Sequence, residues 1–212
     1  MRRIAFAVSA ATLILFQTSA ARAQVKQAAH AARGTPIPRR SPQELRALYQ
    51  AHRGDFDYLL GDWQFTAKSR EYPSFHGVWS ATKFAEGGQI LDEYRITGDS
   101  GETYYVSSTI RSYDANLDCW ELISTEQGRG LRDFGTGRRE GAEMHIDQTF
   151  GVGTPSESLW RIRYFNIGPD HFSWSADRST DGGKTWVAPY QTIEATRIGP
   201  ARSLEPLSKP KR

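Results

Sequence analysis

The stretch Phe56-Asp57-Tyr58-Leu59-Leu60-Gly61-Asp62-Trp63 stands where the pattern of the chain changes from helical to extended. Before it, apolar residues recur every three or four positions, as on one face of a helix. After it, apolar and polar residues alternate in short runs for about 135 residues, as in strands with one buried face. The triplet Gly61-Asp62-Trp63 therefore marks the start of an all-β region.

One helix is predicted before the triplet. The stretch Ser41-Pro42-Gln43-Glu44 is typical of a helix N-terminus, because Ser can cap, Pro suits the first helical position and Glu completes a capping box. Gly54 weakens the pattern that follows, so we expect the helix to break there and to resume towards Leu60. The apolar stripe of this helix consists of Leu45, Leu48, Tyr49, His52 and Phe56.

Ten short strands are predicted after the helix. Turn residues such as Gly, Asp, Asn and Pro separate them, and no helix intervenes, which indicates an antiparallel meander. Closing a meander on itself removes its edges, so we predict an antiparallel up-and-down barrel of about ten strands, with a two-sheet sandwich as the alternative. The predicted strands are 63–69, 77–85, 89–97, 103–113, 118–126, 129–137, 142–150, 158–167, 171–179 and 185–198.

The alternation within each strand also predicts which side chains point into the barrel, because a closed sheet has one dry side. Strand 89–97 places Asp92 on the same face as its apolar residues. Strand 103–113 carries aromatic residues on both faces, so its alternation does not show which face points into the barrel. An interior lined by aromatic rings is suited to a small lipophilic or aromatic ligand. The predicted ligand-binding residues are Phe65, Tyr94, Trp120, Trp160, Tyr164 and Trp174.

Residues 1–23 are typical of an export signal. Arg2-Arg3 precedes the apolar run 4–16, which is too short to span a bilayer comfortably. Ala21-Arg22-Ala23 resembles a cleavage site, so we expect the mature protein to begin at Gln24 and to be periplasmic or secreted. An N-terminal membrane anchor is the alternative, and no later segment is apolar enough to cross a membrane.

The net charge of the predicted domain is negative, although the whole chain carries +3. Residues 1–23 hold three arginines, and the predicted flexible linker 24–40 and disordered tail 200–212 carry +4 and +3. The domain 41–199 therefore carries −7. A nucleic-acid-binding body would present a basic face to phosphates, so that class of function is excluded.

Motifs for catalysis, metals or cofactors are sparse. The five histidines show no zinc-ligand spacing, no nucleophile elbow occurs, and the single cysteine, Cys119, reads as a core residue that forms no intramolecular disulfide. We therefore predict no catalytic residue, no metal site and no cofactor. Asp92 is the best candidate for a perturbed carboxylate, and a hydrogen-bonded residue near a strand end is the plainer interpretation.

The stretch Ser179-Thr180-Asp181-Gly182-Gly183-Lys184-Thr185-Trp186 resembles the Asp-box of sialidases. In such a box the Asp accepts hydrogen bonds from turn amides, and the Trp packs beneath the turn. One copy in a chain without a propeller repeat indicates a structural hairpin and not a sialidase.

The triplet and Arg197 together resemble the calycin superfamily, which includes lipocalins and fatty-acid-binding proteins. More closely, the chain is similar over about 56–198 to a family of exported bacterial proteins with a calycin-like barrel and no established activity. The matching residues are Leu60-Gly61-Asp62-Trp63, Gly87-Gly88, Leu91, Glu93-Tyr94, Tyr113-Asp114 and Ala195-Thr196-Arg197. The chain departs from the superfamily in lacking a lipocalin disulfide and an evident fatty-acid carboxylate clamp, and in placing its helix before the barrel.

The resemblance implies that Gly61, Trp63 and Arg197 close one end of the barrel. A flat indole covers an open end well, and a guanidinium can lie on the ring while it donates to nearby carbonyls. Ordinary core and surface roles for Trp63 and Arg197 are the alternative. This end is not where a ligand is expected.

Three functions are consistent with these features. The first is an exported barrel whose partner is a small lipophilic ligand in the interior. The second is a structural or interaction protein of the cell envelope with a filled barrel. The third is a hydrolase or isomerase that uses an inward carboxylate such as Asp92. The presence or absence of a cavity distinguishes the first two.

Overall fold

The computed structural model describes residues 37–204. The predicted signal 1–23, most of the linker 24–40 and the end of the tail lie outside the described residues. Helix α1, Pro42–His52, begins with the predicted capping box: the Ser41 hydroxyl accepts from the Glu44 amide at 3.2 Å, and the Glu44 carboxylate accepts from the Ser41 amide at 2.7 Å. The helix does not resume as predicted, since only the 3₁₀ turn Asp57–Leu59 follows.

Ten strands form a closed antiparallel barrel. Each strand pairs with the next, and β10 pairs with β1, for example at Phe65 and Ala195. The predicted antiparallel up-and-down barrel of about ten strands with one N-terminal helix is therefore confirmed, and the two-sheet sandwich is wrong. The strands are β1 Gly61–Ser69, β2 Phe75–Phe84, β3 Gln89–Thr97, β4 Thr103–Asp114, β5 Cys119–Glu126, β6 Asp133–Glu140, β7 Glu143–Phe150, β8 Ser158–Phe165, β9 His171–Ser179 and β10 Val187–Gly199.

The two ends of the barrel differ. Because the strands alternate in direction, five connections lie at one end, which we call the mouth: 70–74, 98–102, 127–132, 151–157 and 180–186. The other end, which we call the closed end, carries the 3₁₀ turn 57–59, contacts from α1 and the remaining connections. The last of the mouth connections contains the Asp-box stretch, where Asp181 accepts from the amides of Lys184 and Thr185, both at 3.0 Å.

Aromatic side chains fill the closed-end half of the interior. Phe56 and Trp63 have no exposed surface, and their rings lie 5.1 Å from Trp120 and 4.8 Å from Phe172. Each fully buried large apolar side chain contributes roughly 1.5–3 kcal/mol to folding relative to an exposed one. This packed half is the core of the domain, and it confines any ligand to the half nearer the mouth.

The structure decides the orientation of β4, which the sequence left open. The side chains of Arg111 and Tyr113 are buried inside the barrel, whereas Tyr104 and Ile110 are exposed. The inward face of this strand is therefore largely polar, in contrast to its neighbours. The reason lies on β3, where the inward carboxylate of Asp92 pairs with Arg111.

A short strand, β11, follows the barrel at Arg202–Ser203 and pairs in parallel with β2. The Arg202 guanidinium donates two hydrogen bonds to the Asp62 carboxylate, at 2.7 and 2.8 Å. The Leu204 amide donates to the Lys83 carbonyl at 2.8 Å. These contacts order the first part of the segment that the sequence assigns to a disordered tail, because a few specific partners outweigh its polar composition.

Candidate functional site

Arg197, Trp63 and Gly61 lie together at the closed end. The Arg197 guanidinium carbon is 4.0 Å from the centroid of the Trp63 ring. The same side chain donates to the carbonyls of Tyr58 at 3.0 Å and Pro169 at 2.7 Å. Gly61 has φ +113°, and an added Cβ would lie 2.6 Å from a backbone oxygen, so a larger residue does not fit there. The three residues are thus in contact at the closed end, and their role in closing the barrel stays a prediction.

A buried ion pair lies above the closed end, in the centre of the barrel. Asp92 and Arg111 are 2 % and 3 % exposed, and their side chains contact each other directly. The Asp92 carboxylate also accepts from the Trp79 indole at 2.8 Å, and Arg111 donates to the Tyr164 hydroxyl at 3.4 Å. The carboxylate therefore has fixed partners and no access to solvent, which favours a structural role over that of a catalytic base.

Two phenols surround this pair. Burial raises the pKa of Tyr58 and of Tyr164, so both stay neutral at physiological pH. The Tyr58 hydroxyl is buried and makes no hydrogen bond among the described residues. Because the aromatic core encloses both hydroxyls, they are part of the packed half and not of an open site.

The mouth has a different character. Its inward side chains are only half-buried, and most are polar or carry a polar tip. Tyr94 stacks on Phe65 with the ring centroids 4.8 Å apart, and it belongs to the upper surface of the aromatic core. The half-buried inward residues here are Tyr94, Tyr105, Ser107, Thr109, Glu126, Trp160, Arg178 and Gln191.

The Tyr94 hydroxyl is buried and makes no hydrogen bond of normal geometry, although Gln191 is its polar neighbour. Burial raises the pKa of this phenol well above its ordinary value. A buried polar group without a partner costs about 1–3 kcal/mol. The Tyr94 hydroxyl therefore has hydrogen-bonding capacity that the described residues do not fully use.

Groups of opposite charge stand on opposite walls of the mouth. On β5, the Glu126 carboxylate accepts from the Tyr105 hydroxyl at 3.0 Å. On β9, Arg178 donates to the Tyr190 hydroxyl at 2.8 Å and lies near the Trp160 ring. Strands β5 and β9 are four strands apart in a ten-stranded barrel, so an anionic and a cationic group face each other across the mouth, each with a partner of its own, Arg129 for Glu126 and Glu71 for Arg178.

The structure divides the six predicted ligand-binding residues into two groups. Trp120, Tyr164 and Trp174 lie in the packed interior, all less than a tenth exposed, and Phe65 lies beneath Tyr94. Tyr94 and Trp160 alone are half-buried at the mouth. Ligand contact stays a prediction for all six, and these last two are placed to make it directly.

Sequence analysis did not single out Tyr105, Glu126, Arg178 and Gln191. Arg178 follows the inward series Phe172, Trp174 and Ala176 at the same two-residue spacing, so extending the alternation by one step would have found it. The same step leads from Ile193 to Gln191 and from Ser124 to Glu126. Tyr105 carries no such signal, because its strand has aromatic residues on both faces.

Two shallow recesses open near the mouth. One, of about 270 Å³, lies between the ends of β1 and β10 and is lined by 68–70 and 189–192. The other, of about 360 Å³, lies at the ends of β4 and β5 beside the turn that contains Gly128. Both are open to solvent, so they are surface recesses and not an enclosed ligand chamber.

Within residues 37–204, no group of three or more His, Cys, Asp or Glu side chains is placed to hold a metal ion. No helix in the same range is long and apolar enough to cross a membrane. The buried thiol of Cys119 is free, and burial raises its pKa.

Solved structures with a similar arrangement are barrels of low sequence identity. Rv2717c from M. tuberculosis is 15% identical, with a TM-score of 0.47, over 71% of this chain and 97% of that chain. The S-type phycobiliprotein lyase CPES from Guillardia theta is 12% identical, with a TM-score of 0.46, over 76% of this chain and 98% of that chain. A barrel named EF1p2_mFAP2b, bound to DFHBI, is 14% identical, with a TM-score of 0.37, over 69% and 98% of the two chains.

No family model and no curated protein sequence matches the chain. Because the TM-scores are low, no conclusion about the candidate binding site is drawn from these structures. The fold assignment rests on the strand pairing of the chain itself.

Proposed function

We propose that this barrel binds a small ligand with an aromatic or lipophilic body at its mouth. The observation that carries the proposal is a half-exposed inner surface with buried polar atoms that lack hydrogen-bond partners, namely the Tyr94 hydroxyl and Nε of Arg178. Leaving such atoms unpaired costs about 1–3 kcal/mol each, and a ligand that pairs with them recovers that free energy.

The packed half of the barrel limits how far the ligand enters. Trp120 and Tyr164 are each 2% exposed, and displacing either would open a cavity in the core. A ligand that lies on Tyr94 and beside Trp160 needs no such change. The proposed site is therefore the upper half of the interior, with the Phe65–Tyr94 stack as its base.

The test is a titration of the full-length protein with a neutral, environment-sensitive dye, N-phenyl-1-naphthylamine. We expect saturable one-to-one binding, and an affinity about tenfold lower in Trp160→Ala, because a ring against the ligand contributes on the order of 1–2 kcal/mol. Phe165→Ala is the matched control, because this ring lies on the outer face of the same strand as Trp160, and it should leave the affinity unchanged. Failure of this dye and of a panel of neutral lipids to bind would contradict the proposal.

A structural or interaction role in the cell envelope is the second candidate. The filled closed-end half supports it, as do large side chains near the mouth that are more than half exposed: Tyr72 and Leu131 on two connections, and Tyr104 at the start of β4. The dye titration separates the two candidates, since saturable binding at Trp160 favours a ligand. An enzyme that uses Asp92 has less support, because Arg111 already neutralises that carboxylate.

Export of the protein is part of the proposal. Its support is the basic and apolar pattern of 1–23, with the small residues Ala21 and Ala23 beside the expected cleavage site. N-terminal sequencing of the protein from its own host tests this directly. A chain that begins at Gln24 in the periplasmic or medium fraction is expected, and an intact N-terminus in the cytoplasm would rule export out.

A further inference from the structure

Arg178 lies at the mouth beside two aromatic rings that also contact each other, Trp160 and Tyr190. It pairs in register with Trp160 on β8, and its guanidinium carbon is 5.8 Å from the centroid of the nearest Trp160 ring. The same carbon is 4.9 Å from the Tyr190 centroid, and Trp160 in turn lies 5.1 Å from Tyr190. Cation–π contacts of this kind hold a guanidinium in place without using its N–H groups.

Most of the hydrogen-bonding capacity of Arg178 is unused by the described residues. A guanidinium has five N–H donors in a planar fork, and the structure shows hydrogen bonds only from Nη1. These go to the Tyr190 hydroxyl at 2.8 Å and to Glu71 at 3.3 Å. Nε is buried and has no partner. The edge of the fork formed by Nε and Nη2 is therefore unpaired, and a carboxylate would bind it in bidentate geometry once the side chain that covers Nε moves aside.

Glu71 is the acidic partner of this cation, and the contact is weak. Its carboxylate belongs to the connection 70–74 at the mouth, is 57% exposed and reaches Arg178 through one oxygen at 3.3 Å. Exposed single-oxygen pairs of this kind contribute little, about 0–1 kcal/mol. A ligand carboxylate on the edge that includes Nε leaves Nη1 to Glu71, so Glu71 opposes ligand binding through its negative charge, and the cost of that opposition is small at this exposed site.

Aromatic surface surrounds the free edge. Phe150 packs against Trp160 with the centroids 5.1 Å apart, so three rings, Phe150, Trp160 and Tyr190, line the wall on which the guanidinium lies. A planar ring in the ligand can stack against this wall while its acidic group meets the fork.

We propose, resting on the function proposed above, that the mouth selects small aromatic carboxylates. Arg178 is the anion-binding residue, and Glu71 is an internal competitor that opposes the ligand through its negative charge. The site prefers an aromatic acid to its own amide, because the amide carries no charge for Arg178 and only one acceptor oxygen for the fork.

Calorimetric titration of the full-length protein with matched pairs tests the proposal: benzoate against benzamide, and indole-3-acetate against indole-3-acetamide. We expect each acid to bind at least tenfold more tightly than its amide, since a hydrogen-bonded charge pair contributes about 1.5–3 kcal/mol. Arg178→Gln should remove that preference and leave amide affinity unchanged. Glu71→Gln should tighten acid binding about two- to fivefold, because the competing charge is gone.

Two further variants keep the test decisive. Arg178→Lys retains the charge but loses the fork, so its acid preference should fall between wild type and Arg178→Gln. Arg163→Gln is the matched control, because Arg163 also lies over a ring, Phe165 at 4.5 Å, and beside a carboxylate, Glu143 at 3.7 Å, but sits on the outer face of β8. It should change nothing.

Equal affinity for acids and amides, or an acid preference that survives Arg178→Gln in a folded variant, would overturn the assignment. Dye binding that depends on Trp160 would in that case still support the proposed function. Binding of neither acids nor amides would also overturn the assignment, and the neutral dye would then report separately on whether the mouth binds any ligand.

Discussion

Removing the cation of the central ion pair should be among the most destabilising single changes in the barrel. In Arg111→Met the Asp92 carboxylate, 2% exposed, keeps one hydrogen bond, from the Trp79 indole at 2.8 Å. An unpaired buried charge of this kind costs about 3–5 kcal/mol. Against a typical domain stability of roughly 5–15 kcal/mol, this is a large part of the total.

The double variant should behave differently. Asp92→Leu combined with Arg111→Met removes both charges and fills the space with apolar atoms beside Phe56 and Trp79, which already contact the pair. Such replacements are often neutral or stabilising by about 1–4 kcal/mol. The free energy of unfolding of the double variant should therefore lie much closer to wild type than that of either single variant.

Urea unfolding, followed by circular dichroism and by tryptophan fluorescence, measures the free energy of unfolding of four proteins: wild type, Asp92→Leu, Arg111→Met and the double variant. Coincident curves from the two methods establish two-state behaviour. Arg163→Met on the outer face is the control; Arg163 is 47% exposed, and its loss should cost less than about 1 kcal/mol.

Two results would refute the reasoning. A cost below about 1 kcal/mol for Arg111→Met would mean that water or another group reaches Asp92 and replaces the guanidinium. A double variant as unstable as the worse single one would mean that the site depends on shape and hydrogen bonds more than on charge compensation.

Two other changes test the floor and the mouth hairpin. Trp63→Ala should cost about 3–5 kcal/mol in urea unfolding, because the ring is fully buried under Arg197, and an unchanged midpoint would show that the floor is not a closure device. Hydrogen bonds from the amide and hydroxyl of Thr185 hold the pKa of Asp181 well below its ordinary value. The stability contributed by this carboxylate should thus be complete above the unfolded-state pKa of about 4 and lost as pH falls through the lower folded-state pKa. The NMR resonance of the Thr185 amide should follow that transition. A Thr185 resonance that does not shift in acid would contradict the prediction.

Much of the barrel could be read from local patterns. The capping box at Ser41 and Glu44 predicts the start of α1, since its hydrogen bonds join residues three positions apart. Two-residue alternation predicts strands such as β8 and β9, because one face of each is dry. Their short connections then leave the antiparallel meander as the natural arrangement.

The local patterns failed where a distant partner decided the outcome. The polar inward face of β4 depends on Arg111 meeting Asp92, 19 positions away on β3. The order of the segment near Arg202 depends on Asp62, and these two residues are 140 positions apart. Neither ion pair can be predicted from residue composition or spacing, because each forms only when the barrel has closed.

The candidate site shows the same division. Alternation was enough to place Tyr94 and Trp160 on the inner face, and their aromatic character indicated ligand contact. It did not distinguish them from Trp120 and Tyr164, which share that face and lie in the packed half. Depth along the barrel axis follows from strand tilt and register, and a two-residue period contains no information about either.

The sequence by itself determined the alternation of apolar and polar residues, the turns between strands, and a barrel with Trp63 near its closed end. These features arise from hydrogen bonds and burial between residues close in sequence and from the single dry face of each strand. The tertiary structure alone decided that half of the interior is filled, that Asp92 is neutralised, and that Arg178 lies beside Trp160 and Tyr190 at the mouth. These outcomes depend on which side chains from different strands meet at the same depth, and only the closed barrel sets that depth.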